Sequence, residues 1–224
     1  MPNAAIALPP PLQEGDRLDS AEFLRRWEAM PDLRRAELLG GVVFMPSPVS
    51  SPHGRIHSVF SDWLGFYAVR TPVCQKCLDT TWVMGETEVP QPDIALRILP
   101  EHGGQSGVRG NYATGAPELI VEIVMSSHDR DLRTKLQTYE QAGVREYITA
   151  LLPENKIVWR ALSAGKFRTL PVSAGQIRSR IFPGLWLDVE AIWRCDTKTL
   201  LAVVERGTAT PAHAEFAAAA KRPR

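Results

Sequence analysis

The spacing of apolar positions predicts three helices in this chain. The first begins after Asp19, where Glu22 three residues later completes a capping-box pattern. The second runs from Ser51 toward Val69, and the third covers about 129–142 with Ser127 as its cap. Their apolar stripes are Phe23, Leu24 and Trp27 in the first helix, Ile56, Val59, Phe60, Trp63 and Tyr67 in the second, and Leu132, Leu136 and Tyr139 in the third.

Shorter apolar runs between these helices predict strands. The segment AELLGGVVFMPSP indicates a hairpin around Gly40-Gly41, and further strands are expected at 80–84, 94–99, REYITALL and KIVWRAL. The run PELIVEIVM is almost continuously apolar, which is typical of a central strand buried on both faces. The glycine-rich EHGGQSGVRGNYATGAP before it is predicted to be a long loop. The fold class that follows is α/β or α+β: a mixed β-sheet flanked by helices.

Length and composition fit one globular domain. The chain has 224 residues, of which 44% are hydrophobic and 23% charged. We predict a flexible N-terminal arm at 1–18, a domain at 19–190, and a C-terminal extension and tail at 191–224. No apolar run approaches the roughly 20 residues needed to cross a bilayer, and the start lacks a signal-peptide pattern, so a cytoplasmic protein without a membrane partner is expected.

Two acidic residues in predicted strands are candidates for metal binding. Glu122 interrupts the apolar run LIVEIV, where a buried carboxylate is costly without a partner or a metal ion. Asp93 begins the strand DIALRIL and shares a face with Ala95 and Arg97. If the two strands are neighbours, both acids can bind one Mg²⁺. The alternatives for Glu122 are a place at a sheet edge or a pair with an arginine such as Arg97, and the alternative for Asp93 is an aspartate that caps the start of a strand.

Lys135 is the third candidate. It lies three residues after Leu132 and four before Tyr139, so its stem runs close to the core-facing side of the third helix. An ammonium group at that place can stabilise the charge that develops on a phosphate or orient an attacking water. The alternative is a lysine that reaches outward into solvent.

Several other residues give weaker signals. By spacing alone Glu37 is a solvated face residue, and the pair His53 and His57 is more often an exposed helix start than a metal site. The three cysteines, an odd count, fit reduced thiols. Cys74 and Cys77 form a CQKC motif that lacks the second cysteine pair of a structural zinc site.

The order of several segments resembles the Uma-two type restriction endonuclease family, a branch of the PD-(D/E)XK nuclease superfamily. The segments are AELLGGVVFMPSP, SPHGRI, PDIAL, PELIVEIV and DLRTKLQTYEQAGVREYI. The similarity covers about 32–152, and the trailing FPGLWLDVEAIW with HAEF is similar to an extension found in some members. Two positions differ: Met125-Ser126-Ser127 replaces a Ser-Pro-Ser run, and EYITALLPEN lacks an aspartate after the aromatic strand.

The resemblance implies a restriction-endonuclease-like sheet and a magnesium-dependent endonuclease that hydrolyses DNA, with Mn²⁺ as a substitute. Asp93 and Glu122 would be the metal-binding acids and Lys135 the catalytic lysine. In the common superfamily pattern that lysine lies two residues after the second acid, where this chain has Val124. Glu37 and His53 would join the site.

Charge and partners leave alternatives open. The net charge of +1 means that affinity for DNA has to come from a local basic patch, to which Arg130 and Arg133 would contribute. Nucleases that cut both strands often act as two-fold homodimers. One rival hypothesis is a catalytically silent module that keeps the fold and binds DNA or a protein. The second is a zinc- or cysteine-dependent protein built around CQKC.

Overall fold

The computed structural model describes residues 8–45, 48–125 and 130–218, with the side chains of Arg130 and Asp131 left out. The helices in these residues are α1 (Ser20–Glu28), α2 (Ser51–Arg70), α3 (Arg130–Ala142), α4 (Val189–Trp193), α5 (Thr197–Thr208) and α6 (Pro211–Ala218). The strands are β1 (Glu37–Leu39), β2 (Val42–Phe44), β3 (Cys74–Leu78), β4 (Trp82–Val83), β5 (Ile94–Ile98), β6 (Gly107–Arg109), β7 (Tyr112–Thr114), β8 (Leu119–Val124), β9 (Glu146–Leu151), β10 (Lys156–Ser163), β11 (Lys166–Thr169), β12 (Gln176–Arg178) and β13 (Trp186–Asp188).

A six-stranded mixed sheet with the order β11-β10-β9-β8-β5-β3 forms the centre of the fold. Strands β8 and β9 are parallel, and the other neighbours in this sheet are antiparallel. Helix α3 connects the two parallel strands, as a parallel pair requires a crossover. Smaller sheets are formed by β1 with β2, by β12 with β13, and by β4, β7 and β6.

The sheet is covered on both faces, which confirms the predicted fold class. Helix α2 packs on one face together with α4 and α5, and Trp63 of α2 and Val204 of α5 belong to the same buried cluster. Helix α3 lies on the other face, where Tyr139 packs against Tyr147 of β9 and Ile120 of β8. Strand β8 therefore contributes alternate side chains to two different clusters, as the pleat dictates.

The predicted helices and the β1–β2 hairpin are present with small shifts of their ends. Gly40 and Gly41 both have positive φ, which supports the tight turn expected of this glycine pair. The segment 101–117 differs from the predicted long loop, because β6 and β7 form a hairpin within it. Strands β3, β11, β12 and β13 and helices α4, α5 and α6 were not predicted. The proposed cap Ser127 lies outside the described residues.

Residues after the predicted boundary at 190 share the core of the preceding ones. Leu200 and Val204 of α5 are buried with Tyr67 of α2 and Ile94 of β5. Tyr67 also donates a hydrogen bond to the carbonyl oxygen of Pro183 at 3.0 Å. Among the described residues, no helix combines the length and the apolar character needed to span a bilayer.

Candidate active site

The alternation of β8 sends Glu122 to the face covered by α3. Val121 and Ile123 on either side of it point into the α2 face and lie in the large core cluster. Glu122 itself is only 5% exposed. Its burial follows from its place in a central strand, and it creates the need for hydrogen-bond donors or cations.

Asp93 reaches the same face because of strand register. Strands β5 and β8 are antiparallel, with Ile94 opposite Val121, so the next pair in this register is Asp93 and Glu122. The backbone amide of Ile123 donates a hydrogen bond to Asp93 Oδ2 at 2.8 Å. The two strands are therefore neighbours, as the hypothesis of a shared metal site required.

Lys135 of α3 lies between two carboxylates. Its Nζ is 3.1 Å from Oε1 of Glu122 and 3.1 Å from Oε2 of Glu37. The side chain is 10% exposed, so the lysine does not extend into solvent. Glu37 is also buried, and its Oε1 accepts a hydrogen bond from the amide of Gln91 at 2.7 Å. The interpretation of Glu37 as a solvated residue was wrong.

Tyr139 is a member of the site that the sequence did not identify. Its hydroxyl donates a hydrogen bond to Oε1 of Glu122 at 2.6 Å, and the ring is fully buried. The helical spacing assigns Tyr139 to the apolar stripe of α3 only. The available signal was its position four residues after Lys135, because residues at that spacing meet the same neighbour across a helix face.

Two histidines of α2 hold the chain at Asp93. His53 Nε2 lies 3.2 Å from Asp93 Oδ2, and His57 Nε2 donates a hydrogen bond to the backbone carbonyl oxygen of Asp93 at 3.0 Å. A carbonyl oxygen only accepts, so His57 carries its proton on Nε2. The helix start that carries them is capped by Ser50, whose hydroxyl accepts from the amide of His53.

Burial and charge act differently on the two acids. Burial is the main cause that raises the pKa of Glu122 well above its ordinary value; Lys135 opposes it, and the charges of Asp93 and Glu37 add to it. Burial also works against the charge of Asp93. The hydrogen bond with His53 and the amide of Ile123 outweigh it and bring the pKa of Asp93 below its ordinary value.

Glu37, His53, Asp93, Glu122 and Lys135 line one cavity of about 290 Å³. All five residues predicted for the site are among its walls, and so are Arg35 and Gln91. Arg35 forms an ion pair with Asp79, and 27% of the Arg35 side chain is exposed. The predicted Arg133 is exposed on α3 and is not among the lining residues. The cavity therefore combines three carboxylates with the cationic groups of Lys135 and Arg35.

The donor set fits a hard divalent cation. Mg²⁺ binds carboxylate oxygens, usually from one or two residues, and completes its shell with water and phosphate oxygens. In each acid, the hydrogen bonds from the described residues go to one oxygen: Oδ2 in Asp93 and Oε1 in Glu122. None of these hydrogen bonds reaches the other oxygen, which is Oδ1 in Asp93 and Oε2 in Glu122. No group of three or more histidine, cysteine or acidic residues in the described part of the chain could enclose a metal. Asp93 and Glu122 are compatible with a two-carboxylate site whose other ligands are water and phosphate oxygens.

Two of the alternatives, a pair between Glu122 and Arg97 and a zinc site at CQKC, disagree with the structure. Arg97 donates hydrogen bonds to Gln75 Oε1 and to the carbonyl oxygen of Gly107, so it does not neutralise Glu122. Cys74 and Cys77 are three positions apart on β3 and belong to different apolar clusters. Side chains three apart on a strand point to opposite faces, so this pair cannot bind one zinc ion.

Comparison with known families agrees with this arrangement. Residues 21–190 match the profile of the Uma2 family, which is described as "Putative restriction endonuclease". The chain belongs to the Uma2 family. The matched range contains Glu37, Asp93, Glu122 and Lys135, and it extends well beyond the 32–152 over which the motifs resemble the family. The family predicted from the order of the motifs is confirmed.

A solved structure has the same fold. It is the crystal structure of a protein from Anabaena variabilis ATCC 29413, described as a putative nuclease belonging to DUF820, with a TM-score of 0.59 and 15% sequence identity. The alignment covers 75% of this Uma2 chain and 92% of that one. Among proteins of curated function, none matches the chain in sequence.

Proposed function

We propose that this Uma2 protein is a magnesium-dependent endonuclease that hydrolyses phosphodiester bonds of DNA. The observation that supports it most directly is the position of Lys135, whose Nζ lies 3.1 Å from Glu122 in the cavity that Asp93 also lines. Two acids and an amine from three separate segments meet there. The descriptions of the family and of the Anabaena protein point to the same class of reaction.

Asp93 and Glu122 would hold the divalent ion through their oxygens that face no donor of the described residues. When bound, such an ion polarises the scissile phosphate and lowers the pKa of a bound water. The carboxylates need a cation for their own stability, because burial and mutual repulsion otherwise favour protonation of Glu122. Because a bound cation would offset this burial and repulsion, the same two effects would favour metal binding at the site.

Lys135 would act on the reacting phosphate. Glu37 and Glu122 fix the ammonium group from two sides, and Gln91 in turn fixes Glu37 through its backbone amide. A lysine held in this way can stabilise the charge that develops on the phosphate or orient the attacking water. Arg35, which also lines the cavity, would meet a neighbouring phosphate of the strand. Cutting of both strands would require two copies of the chain, and we propose a homodimer in the cytoplasm.

Plasmid cleavage tests the proposal. Supercoiled plasmid is incubated with the protein in Mg²⁺, Mn²⁺ or EDTA, beside the variants Asp93→Asn and Lys135→Met. We expect nicking with either metal, none in EDTA, and a loss of at least about 100-fold in each variant, on the order of other electrostatic contributions to catalysis. Circular dichroism shows whether the variants are folded.

Two results would contradict the proposal. Nicking that survives Asp93→Asn points to a contaminating nuclease. If no metal supports cleavage while the protein still shifts DNA in a gel, the chain is a silent DNA-binding module.

A further inference from the structure

A second cavity adjoins the candidate active site. It has a volume of about 250 Å³, and its walls come from the start of α2, the ends of β8 and β9, the turn after β9 and the end of α4. Met125, directly after β8, lines both cavities. On α2, Pro52 faces the second cavity, while the next residue, His53, lines the first. The flexible side chain of Met125 is therefore a wall that the two cavities share.

The topology explains why they are adjacent. Strands β8 and β9 are parallel neighbours, with Val124 opposite Leu151, so their carboxyl ends lie at the same edge of the sheet. Glu122 near the end of β8 belongs to the candidate active site, and Leu152 just after β9 lines the second cavity. A strand of nucleic acid with one phosphate at Glu122 would have its next sugar and base beside this edge.

The walls of the second cavity carry the groups that recognise a nucleobase. Ile56, Leu152 and the ring of Trp193 offer apolar surface for a flat ring. The indole Nε1 of Trp193 is buried and has no acceptor among the described residues. A buried N–H without an acceptor is unfavourable unless a water or a ligand atom accepts from it. A ring nitrogen or carbonyl oxygen of a base would do so once the side chains that cover Nε1 move aside.

Two polar residues complete the set. Asn155 is exposed in the turn after β9, with φ of +45°, and an amide side chain offers the paired donor and acceptor that match the edge of a base. Arg55 is exposed and donates to Cys195 Sγ at 3.1 Å through one of its nitrogens. Its remaining N–H groups are available to a phosphate or to the face of a base.

The size of the cavity limits its occupant. Its volume of about 250 Å³ is several times the roughly 30 Å³ that one water takes in the liquid, so water alone would have to be present as a cluster. It is also smaller than the roughly 300–1,000 Å³ of sites for drug-sized ligands. A single ring system therefore fits better than an extended peptide.

We infer that this cavity, which we term the base pocket (Pro52, Arg55, Ile56, Met125, Leu152, Pro153, Asn155 and Trp193), binds one unstacked nucleobase next to the phosphate at Glu122 and Lys135. The inference rests on the proposed function for the position of the strand. It adds that the protein takes a strand with a base turned out of its stack, as enzymes do when a base must be read individually. The protein therefore prefers single-stranded or locally opened DNA to a continuous duplex.

The test measures binding without cleavage. The full chain is titrated, in Ca²⁺, against a short fluorescein-labelled single strand of DNA and a set of the same strand in which each position in turn is abasic. We expect one abasic position to weaken binding roughly tenfold, as loss of one stacked base does elsewhere, and the other positions to have little effect. The duplex form of the strand should bind more weakly than the single strand.

Two variants link that effect to the base pocket. Trp193→Phe removes the N–H donor and keeps an aromatic ring; Asn155→Gly removes the amide and suits the positive φ. In each variant, the affinity for the intact strand should exceed that for the sensitive abasic strand by less than about threefold, since the base then loses one of its contacts. Ala164→Gly is the matched control, because Ala164 also has positive φ, +51°, but lies in the β10–β11 turn outside the base pocket. It should bind as the wild type does.

The outcomes separate the two proposals. Three results would overturn the base pocket. All abasic strands bind equally, no strand binds at all, or both variants behave as the wild type does. If one base position matters and both variants remove its effect, the base pocket is supported even where plasmid is not cut. Plasmid cleavage without dependence on any base would support the nuclease and remove the base pocket.

Discussion

Oε1 of Glu122 accepts hydrogen bonds from two residues of α3, Tyr139 at 2.6 Å and Lys135 at 3.1 Å. A carboxylate on a strand is thereby oriented by a helix that packs across it. Burial and the adjacent carboxylates raise the pKa of Tyr139 well above its ordinary value, so its hydroxyl stays protonated and donates. We propose that Tyr139 is a positioning residue, because its hydrogen bond to Oε1 leaves Oε2 of Glu122 for the metal ion of the proposed site.

We expect Tyr139→Phe to lower the free energy of unfolding by about 1–3 kcal/mol, because a buried acceptor loses a donor. The apparent affinity for Mn²⁺ should also fall, since Glu122 is then free to turn. Urea unfolding and titration of cleavage with Mn²⁺ measure the two effects. Tyr112→Phe is the control: the Tyr112 hydroxyl binds Glu28 at an exposed site, so its removal should change stability by less than about 0.5 kcal/mol. Unchanged metal affinity in Tyr139→Phe would contradict the positioning role.

Glu146 is a second buried acid, and it connects β9 to the segment before β13. Its two oxygens accept from the Ser179 hydroxyl at 2.7 Å, the Arg180 amide at 2.6 Å, the Ile181 amide at 3.3 Å and the Trp159 indole at 3.2 Å. Burial raises the pKa of Glu146 to about 7, although these four donors oppose the rise. The folded state therefore favours the protonated acid more than the unfolded state does.

This shift predicts a pH dependence of stability. A carboxyl whose pKa is raised on folding contributes stability below its unfolded value of 4.5, and the contribution is lost as pH rises to about 7. We expect the free energy of unfolding of the wild type, relative to Glu146→Gln, to fall by about 3 kcal/mol between about pH 4 and about pH 8. Urea unfolding at a series of pH values measures it. A constant difference would mean that folding leaves the pKa of Glu146 unchanged.

At the scale of elements, α1 has half of the predicted capping box. Asp19 accepts from the amide of Glu22 at 2.8 Å, as predicted. The carboxylate of Glu22 forms ion pairs with Arg25 and Arg26 instead of reaching back to the helix start. Those partners hold the pKa of Glu22 at about 2.

We therefore expect Asp19→Ala to destabilise the protein by about 1 kcal/mol, since the amide of Glu22 loses its acceptor. Asp19→Asn keeps a side-chain oxygen and should stay within a few tenths of a kcal/mol of the wild type. Thermal unfolding compares the three proteins. Equal loss in both variants would show that the charge of Asp19 matters more than its role as an acceptor.

Helix α3 and strand β8 show how elements create a site together. The same helix face that buries Tyr139 against Tyr147 presents Lys135 to Glu122. The packing of Tyr139 against Tyr147 and the contact of Lys135 with Glu122 therefore stabilise the same orientation of α3. The packing of α3 thus brings the amine of Lys135 to Glu122 from a different element.

At the scale of the whole molecule, α4 and α5 close the α2 face of the central sheet. Leu200, Val203 and Val204 of α5 are buried, and α5 packs along α2. The predicted boundary between a domain at 19–190 and an extension at 191–224 stays a prediction. Residues on both sides of it belong to the same hydrophobic core.

We expect a chain truncated after Glu190 to lose cooperative unfolding and to associate, because the truncation exposes apolar surface of α2 around Trp63 and Tyr67. Differential scanning calorimetry and size-exclusion chromatography measure the two effects. Truncation after Ala218, beyond α6, is the matched control and should leave the transition unchanged. A truncated chain that unfolds at the wild-type temperature would show that 19–190 is an independent domain.

The sequence by itself determined the elements whose residues repeat at a regular spacing. The stripe from Ile56 to Tyr67 specified α2, the Gly40-Gly41 pair specified a hairpin, and the run around Glu122 specified a central strand, because each depends on local periodicity or turn geometry. The order of motifs identified the family. Strand β3 escaped prediction because CQKCL has little apolar alternation, and its partner β5 is distant in sequence.

Only the tertiary structure decided which polar residues meet. Register between β5 and β8 put Asp93 beside Glu122, and the packing of α3 turned Lys135 inward, although solvent exposure was equally compatible with its spacing. Tyr139 changed from a core residue into a partner of Glu122 for the same reason. Spacing along a chain fixes the face on which a side chain lies, but its partner depends on another segment, and that contact forms only when the sheet and its helices pack.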